Sequence, residues 1–364
     1  MTRVLVVNAG SSSLKLDVVE PDGTVPDRQH LREWDGGTEA VTELVARTRP
    51  DAVGHRVVHG GTMTGPALVD SGVLEALGAA AELAPLHQPR SLAGIDAASS
   101  AAPDLPAVAC FDTTFHRTMP AAASTYAVPR DWRERFGVRR YGFHGLSHAY
   151  VARRVPELVG RDASGLRTVS CHLGSGASVC AVDRGRSVAT SMGMTPLEGL
   201  VMGTRAGSVD PGILLWLLRT GRLSPAELED GLEHHAGLLG LAGSSNLADL
   251  MTDESDVARL AIDVYVHRLA AEIATMTSAM GGLDVLAFTG GVGENAPAVR
   301  SRAAARLGFL GIALDEDVNE RTTDDGDVSD LGARVRTVVV DAREDLEIAR
   351  EVRGVLARAV RPGA

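Results

Sequence analysis

The sequence predicts an α/β protein built from two related halves. Short apolar, β-branched runs alternate with amphipathic helical patterns along the 364 residues, which is typical of α/β folds. This length exceeds what one hydrophobic core usually supports, so two domains are expected. The pattern of a strand, a glycine with small polar residues and a second strand occurs around Gly10 and again around Gly174, 164 residues further on. Because this offset is near half the chain, we expect a duplicated domain whose copies face each other across a cleft.

The predicted strands and helices follow from local patterns. Residues 4–7 and 14–19 are strand-like runs on either side of a polar turn, and residues 283–289 form an apolar run typical of a buried strand. Asp210 as N-cap and Pro211 at the first position predict a helix over 212–218, and Ser224 to Glu227 have the pattern of a capping box. A helical pattern begins at 257 and ends before Gly281, and a last helix covers 344–360 with acidic residues in its first turn.

Composition excludes several classes of function. The net charge of −11 disfavours nucleic acid or an anionic membrane as a partner. No stretch approaches the roughly 18 apolar residues of a membrane span, and the four apolar residues between Arg3 and Asn8 are too few for a signal peptide. Three cysteines without metal-ligand spacing indicate reduced thiols. We therefore expect a cytoplasmic protein with small-molecule partners.

Three glycine-rich segments favour phosphate or nucleotide binding. Residues 8–15 place a glycine, three serines and Lys15, the chain's single lysine, in one turn, where backbone N–H groups and an ammonium suit a phosphate. The spacing is not that of a Walker loop. Residues 172–178 supply a second such turn, and residues 289–295 supply a third between a strand and a helix.

Other segments mix histidine and arginine with small residues, at 54–61, 84–89, 111–116, 141–148 and 202–205. An isolated histidine is more often a hydrogen-bonded core residue than a ligand, and this interpretation is favoured for His55, His59 and His116. A tight zinc site is not expected, because no carboxylate-rich ligand set accompanies these histidines.

Taken together, eight of these segments resemble the acetate kinase family. They are NAGSSSLK (8–15), HRVVHGG (55–61), APLH (84–87), FDTTFH (111–116), YGFHGLSH (141–148), SMGMTPLEG (191–199), MGTR (202–205) and FTGGVGEN (288–295). The resemblance implies two duplicated actin-like, ribonuclease H-like domains, residues 1–115 with 346–364 and residues 116–345. It also implies ATP + acetate ⇌ ADP + acetyl phosphate, with Mg²⁺ or Mn²⁺ as cofactor, in a homodimer.

The resemblance also implies roles for the matching residues. Asp112 is the family's catalytic carboxylate, His144 stabilises the phosphoryl group in flight, and Arg56 and Arg205 bind that group and the acyl carboxylate. Asn8 and Glu344 lie near the metal. The acyl group is expected to contact Val58, Leu86, His87, Phe143 and Pro196. The nucleotide and its phosphates are expected to contact Ser13, Lys15, His172, Leu173, Gly174, Ser175, Gly176, Gly291, Val292, Gly293, Glu294 and Asn295.

Elementary chemistry supports these roles and modifies one. Phosphoryl transfer develops negative charge on equatorial oxygens, so positioning and cations carry the catalysis. The acceptor is a carboxylate with a pKa of about 4–5, which is already ionised at pH 7. Because no proton has to be removed, we expect Asp112 to orient a metal-bound water or an arginine and not to act as a general base.

The chain departs from the family pattern mainly on the nucleotide side. Ser175 stands where the family usually has Asn, Ala206-Gly207-Ser208 replaces Ser-Gly-Asp, and Asn246-Leu247-Ala248 replaces an Asp-x-Arg triplet. A propionate or butyrate kinase, a kinase with another phosphoryl donor and a catalytically silent actin-like binding module therefore remain alternatives. The sequence decides neither the physiological direction nor the oligomeric state.

Overall fold

The computed structural model describes residues 2–10, 13–84 and 87–359 in two compact units. The first unit takes the residues up to Arg117, Phe143–Tyr150 and those from Arg343 onward, and the second takes Thr118–Gly142 and Val151–Ala342. The domain boundaries predicted from the sequence stay a prediction. The compact units differ from them chiefly in assigning residues 143–150 to the first unit.

Twelve strands of the described residues form two six-stranded sheets. The first sheet contains β1 (Val4–Ala9), β2 (Leu14–Val19), β3 (Asp27–Leu31), β4 (Ala52–Val57), β5 (Ala67–Leu68) and β6 (Ala107–Phe111). The second contains β7 (Arg167–Leu173), β8 (Ala177–Asp183), β9 (Arg186–Thr190), β10 (Val285–Thr289), β11 (Gly326–Asp327) and β12 (Arg336–Val339).

Fifteen α-helices of the described residues connect and cover these strands. They are α1 (Glu39–Thr48), α2 (Ser71–Ala79), α3 (Gln88–Ala101), α4 (Ala121–Ser124), α5 (Arg130–Phe136), α6 (Gly145–Val159), α7 (Pro211–Arg219), α8 (Pro225–His234), α9 (Gly237–Ala242), α10 (Leu247–Thr252), α11 (Asp256–Ala279), α12 (Gly290–Asn295), α13 (Pro297–Arg306), α14 (Glu316–Arg321) and α15 (Glu344–Ala359).

The two sheets share one topology, which confirms the predicted duplication. Their strand orders are β3-β2-β1-β4-β6-β5 and β9-β8-β7-β10-β12-β11. In each, the three central strands are parallel and the remaining strands are antiparallel to their neighbours. The hairpins β1–β2 and β7–β8 therefore occupy equivalent places, and they carry the repeated motif.

The register of the two hairpins corrects the sequence alignment by one residue. Asn8 pairs with Lys15 in the first hairpin, whereas His172 pairs with Ser178 in the second. The loop of the first hairpin is thus one residue longer. Equivalent residues of the two hairpins are therefore 164 positions apart up to Gly10 and Gly174. After the loop they are one position closer, so Lys15 corresponds to Ser178.

Alternating side chains of β1 are buried on both faces of the first sheet. Leu5 and Val7 pack in a cluster with Val41 and Leu44 of α1 and with residues of α3. Val4 and Val6 pack on the other face with Ile348 and Val352 of α15. Helices on both faces and a near-continuous apolar sequence are what a parallel sheet centre requires. In the second unit every residue of β10 is buried, and α11 packs on β7 and β8.

Most of the predicted elements are confirmed, and one is wrong. The helices begin and end within two residues of the predicted bounds, and Ser224 and Glu227 make both hydrogen bonds of the capping box. The third glycine-rich turn, however, is helical: Gly290 to Asn295 form α12 directly after β10. Glycine disfavours helix interiors, but here the Glu294 carboxylate accepts the Gly290 N–H at 2.8 Å and stabilises the first turn.

Candidate functional site

A cluster of charged side chains lies at the carboxyl edge of the first sheet. Arg56 stands near the end of β4, and Asp112 directly follows β6, where its N–H donates to the Val57 carbonyl at 3.0 Å. The Arg56 guanidinium donates from Nη2 to Asp112 Oδ2 at 2.7 Å and from Nε to Oδ1 at 3.2 Å. Parallel neighbours ending at one edge bring the two residues together, and the forked guanidinium matches the carboxylate with two hydrogen bonds.

Asn8 and Glu344 complete this cluster. Glu344 opens α15, with Oε2 3.6 Å from Arg56 Nε and 3.3 Å from the Asn8 Nδ2 that donates to it. The Asn8 Oδ1 accepts from Arg56 Nη1 at 3.4 Å. Two carboxylates face one guanidinium, so the four side chains carry a charge of −1 when all are ionised. A cation is therefore favoured beside them.

Burial changes how these groups titrate. The Asp112 side chain is fully buried, and desolvation raises its pKa to about 6 against the opposing effect of Arg56. Desolvation acts to lower the pKa of Arg56, but Asp112 and Glu344 outweigh it and raise that pKa. Arg56 thus remains charged at every accessible pH, and Asp112 is the member of the pair that changes protonation.

The segment that carries His144 is fixed to Asp112 through the backbone. His144 has a φ of 56°, and the next residue, Gly145, donates its N–H to the Asp112 carbonyl at 2.8 Å. A Cβ atom at Gly145 would lie 2.1 Å from that oxygen, so only glycine fits. The buried His116 ring bonds the Phe143 carbonyl through Nε2 at 2.9 Å, which confirms its interpretation as a core residue.

The residues predicted to contact the acyl group fall in both units. Val58 and Phe143 are buried in the first unit, and His87 immediately precedes α3. Pro196 and Arg205 belong to the second unit, where Arg205 Nη1 donates to the Pro196 carbonyl at 3.0 Å. Leu86 lies outside the described residues. Burial lowers the pKa of Arg205 and Glu233 opposes this effect.

A cavity of about 480 Å³ opens beside the glycine-rich segments of the second unit. Of the residues predicted to hold a nucleotide, Gly174, Ser175, Gly291, Val292 and Asn295 line it. His172, Leu173, Gly176, Gly293 and Glu294 belong to the same segments but do not line it, and Ser13 and Lys15 belong to the first unit. Its size is that of a typical small-molecule pocket.

Glu294 shapes this cavity without lining it. Its Oε1 accepts the N–H groups of Gly290 and Ala342, each at 2.8 Å. Gly290 has a φ of 79°, and a Cβ atom there would lie 2.7 Å from the Leu173 carbonyl oxygen. The close approach of α12 to the end of β7 therefore depends on a glycine at this position.

The sequence analysis did not identify Arg300, which stabilises α12 by hydrogen bonds to its backbone carbonyls. Its side chain is fully buried, and Nη1 donates to the carbonyls of Gly293 and Glu294 at 2.8 and 2.7 Å. Its Nε donates to Asn319 Oδ1 at 2.7 Å. The signal for Arg300 that was available in the sequence is an arginine within the helix α13, close to the glycine-rich segment.

The departures from the family pattern at 246–248 do line the cavity. Asn246 caps α10, where its Oδ1 accepts the Ala248 N–H at 3.1 Å.

Two further observations concern ligands and membranes. Across the part of the chain that the structure describes, no three His, Cys, Asp or Glu side chains are arranged to hold a metal ion by themselves. Within the same residues, every helix is too short or too polar to cross a membrane.

Comparison with known proteins gives consistent matches. The model of the acetokinase family matches residues 38–350. An acetate kinase from Deinococcus radiodurans is 46% identical, over 95% of this chain and 96% of that protein. The crystal structure of Porphyromonas gingivalis acetate kinase superposes with a TM-score of 0.88 at 35% identity, covering 98% of this chain and 100% of that one. A propionate kinase from Francisella tularensis gives a TM-score of 0.89 at 32% identity, over 96% and 99% of the two chains.

Proposed function

This chain belongs to the acetokinase family, and on that premise we propose that the cluster around Arg56 transfers a phosphoryl group between ATP and acetate. Its function is that of an acetate kinase, a phosphotransferase with a carboxyl group as acceptor. The observation that carries the mechanistic proposal is the bidentate ion pair between the partly buried Arg56 and the fully buried Asp112.

In the proposed mechanism Asp112 positions Arg56 and does not remove a proton. The acetate carboxylate is ionised at neutral pH and attacks the γ-phosphorus directly, forming the new P–O bond as the bond to the ADP oxygen breaks. Arg56 and Arg205 neutralise charge on the acyl carboxylate and the transferring group, and His144 contributes a further donor. The carboxylate of Asp112 is already engaged by Arg56, which supports a positioning role.

Asn8 and Glu344 are proposed to hold Mg²⁺, or Mn²⁺ in its place. Their amide and carboxylate oxygens are hard donors of the kind these ions prefer, and Mg²⁺ sites commonly use one or two protein ligands together with substrate phosphates. The charge of −1 on the four-residue cluster also fits a cation. When bound, the metal neutralises phosphate charge; Lys15, paired with Asn8 across the β1–β2 hairpin, adds a cation beside it.

The donor is proposed to bind in the cavity beside α12. Gly174, Ser175 and Gly291 line this cavity, and their small side chains allow a nucleotide to approach the backbone closely. The other residues of the predicted set lie in the same two segments, from His172 to Gly176 and from Gly291 to Asn295.

A homodimer and a cytoplasmic location are also part of the proposal. No residue of α7 is buried although most are apolar, and Leu215 is 67% exposed. A second copy of the chain would cover this face. Replacing Leu215 with Glu should lower the mass measured by light scattering, whereas Leu331→Glu, at a fully exposed apolar position elsewhere, should not. The buried thiols of Cys110, Cys171 and Cys180 are reduced, which is consistent with a reducing compartment.

One assay tests the activity and its nearest alternatives. Purified protein with ATP, Mg²⁺ and acetate should form acetyl phosphate, which hydroxylamine converts into a coloured hydroxamate. Propionate and butyrate are run in parallel, because the similarity to a propionate kinase favours propionate as a second candidate substrate. We expect acetate to be preferred, propionate to be tolerated and butyrate to be poor. Absence of hydroxamate with all three acids would support a catalytically silent module.

Asp112→Asn tests the mechanism within the same assay. It keeps the size of the side chain and removes the charge that holds Arg56, so we expect a large loss of kcat. The matched control is Asp96→Asn on the exposed side of α3, which should be neutral. A variant at position 112 with unchanged kcat would refute the positioning role.

A further inference from the structure

A polar network in the second unit holds an irregular segment, residues 191–199, which we call the Pro196 loop. This loop follows β9 and contains no helix or strand. Arg140 Nη1 donates to three successive carbonyls at its start, those of Thr190, Ser191 and Met192, at 3.3, 3.0 and 2.9 Å. One guanidinium nitrogen thus joins the last residue of β9 to the first two residues of the loop and satisfies their carbonyl groups.

Glu198, near the end of the loop, joins Arg140 to Tyr126. Its Oε1 accepts from Arg140 Nη2 at 2.5 Å, and its Oε2 accepts from the Tyr126 hydroxyl. The same hydroxyl accepts the Met194 N–H at 3.2 Å, and the Arg140 guanidinium lies 5.2 Å above the Tyr126 ring centroid. Burial and Glu198 raise the pKa of Tyr126, so the phenol keeps the proton that it donates.

The interior of this network is tightly packed. The Gly193 carbonyl accepts the N–H groups of Tyr141 and Gly142 at 3.0 and 3.1 Å. A Cβ atom at Gly193 would lie 2.1 Å from Glu198 Oε2 and 2.3 Å from the Tyr126 hydroxyl. The start, middle and end of the Pro196 loop are therefore fixed to each other by side chains distant in sequence.

The loop in turn positions two residues of the proposed acyl site. The Pro196 carbonyl accepts from Arg205 Nη1 at 3.0 Å. Beyond the loop, Ser208 donates its N–H to the Gly199 carbonyl at 3.0 Å and accepts the Gly199 N–H on its hydroxyl at 3.1 Å. By contrast, none of Tyr126, Arg140 and Glu198 lines the nucleotide cavity.

We propose that Glu198, held between Arg140 and Tyr126, is a positioning residue that sets acyl-chain selectivity through the Pro196 loop. This inference rests on the proposed function, since it takes Pro196 and Arg205 as acyl-side residues. Loss of the Glu198 charge leaves Arg140 without its carboxylate partner, and the loop then relaxes around Pro196. The acyl pocket becomes less restrictive, while the nucleotide cavity keeps its shape.

The experiment compares Glu198→Gln and Tyr126→Phe with wild type and with Glu134→Gln, an exposed glutamate of the same unit that pairs with Arg130. For the two network variants we expect KM for acetate to rise about tenfold, the effect of one lost hydrogen bond to a charged group. The ratio of kcat/KM for propionate to that for acetate should rise about fourfold, the worth of one accommodated methylene. KM for ATP should stay within about twofold.

The outcomes separate this inference from the function on which it rests. Unchanged KM for acetate and unchanged chain-length ratio in folded variants would overturn the role of Glu198, as would equal rises in KM for acetate and ATP. If circular dichroism shows that Glu198→Gln does not fold, the kinetics of Tyr126→Phe, which keeps the aromatic ring, test the proposal by themselves. Arg205→Ala is measured alongside: near-wild-type activity in that variant would refute the proposed acyl site itself, whatever position 198 does.

Discussion

The equivalent edges of the two sheets have been put to different uses. The hairpin motif and the strand registers match Asn8, Arg56 and Asp112 of the first sheet with His172, Thr289 and Ala342 of the second. The first edge presents side-chain charges, whereas the second presents glycines and backbone N–H groups with Glu294 behind them. One scaffold thus supports a site that depends on charge and another that depends on how closely the backbone can approach.

This difference predicts how each site fails. The first edge should be most sensitive to the loss of a charge, because a buried partner would be left unpaired. The second should be sensitive to an added methyl group where a glycine lies against the backbone. The following predictions take this contrast in order of decreasing effect.

Arg56→Ala should produce the largest loss. It removes a charge-assisted contact to the developing anion and leaves Asp112 without its partner, at a cost of about 3–4 kcal/mol or roughly a hundred- to thousandfold in kcat/KM. Steady-state kinetics by the hydroxamate assay, with circular dichroism to verify folding, measures it. Arg47→Ala, in an exposed ion pair with Asp27, is the control. Near-wild-type turnover in the Arg56 variant would contradict the prediction that the first edge depends on charge.

The donor cavity should respond to restored charge. Wild type is expected to use ATP with a raised KM and with poor discrimination against GTP, because the family's Asp and Arg are Asn246 and Ala248 here. The double variant Asn246→Asp, Ala248→Arg should lower KM for ATP by at least about ten- to a hundredfold, the value of a single restored charged contact at about 1.5–3 kcal/mol. KM for acetate serves as the internal control. A micromolar KM for ATP with strict adenine selectivity in wild type would mean that another residue already compensates.

Gly290→Ala tests the backbone-dependent edge. The residue would be forced into a left-handed conformation with its Cβ atom against the Leu173 carbonyl, which costs about 1–3 kcal/mol. Urea unfolding gives the change in the free energy of unfolding. Gly291→Ala in the same helix is the matched control, because a Cβ atom there meets nothing within 4 Å. Equal stability of the two variants would contradict the steric explanation.

The first unit should also be the more acid-sensitive one. Burial lowers the pKa of His55 and of His116 to about 4, compared with about 6.5 when unfolded. At each histidine the unfolded state therefore binds more protons between these values, so the stability that the neutral histidine contributes is complete above pH 6.5 and falls as the pH drops towards 4, by about 1.4 kcal/mol per pH unit. The pKa of Asp112, raised to about 6 in the folded protein, acts in the opposite direction and offsets part of this slope. Urea unfolding at several pH values between 6.5 and 4.5 measures how the free energy of unfolding changes with pH. His55→Phe should reduce this slope by the contribution of one proton, about 1.4 kcal/mol per pH unit. An unchanged slope in that variant would show that groups other than His55 cause the pH dependence of stability.

Local patterns were sufficient to predict the elements and most of the charged cluster. The repeated hairpin, the capping box at Ser224 and the match of Arg56 and Asp112 to family motifs all depend on residues close together in sequence. The helical state of Gly290 to Asn295 was missed because a glutamate side chain and a buried arginine, and not helix propensity, stabilise it. Glu198 was missed for a related reason, since its partners lie 58 and 72 residues away.

The lone lysine gives the protein an unusual reactivity. Lys15 is exposed on β2, and the other 35 basic residues are arginines, whose guanidinium groups stay protonated and are poor nucleophiles. Reagents that acylate amines, including the acyl phosphate that the protein itself makes, therefore meet one ε-amine in the whole chain. Besides the α-amino group of the chain, an amine-reactive fluorophore or isotope label therefore modifies one side chain, within the hairpin that contains Asn8, without any substitution.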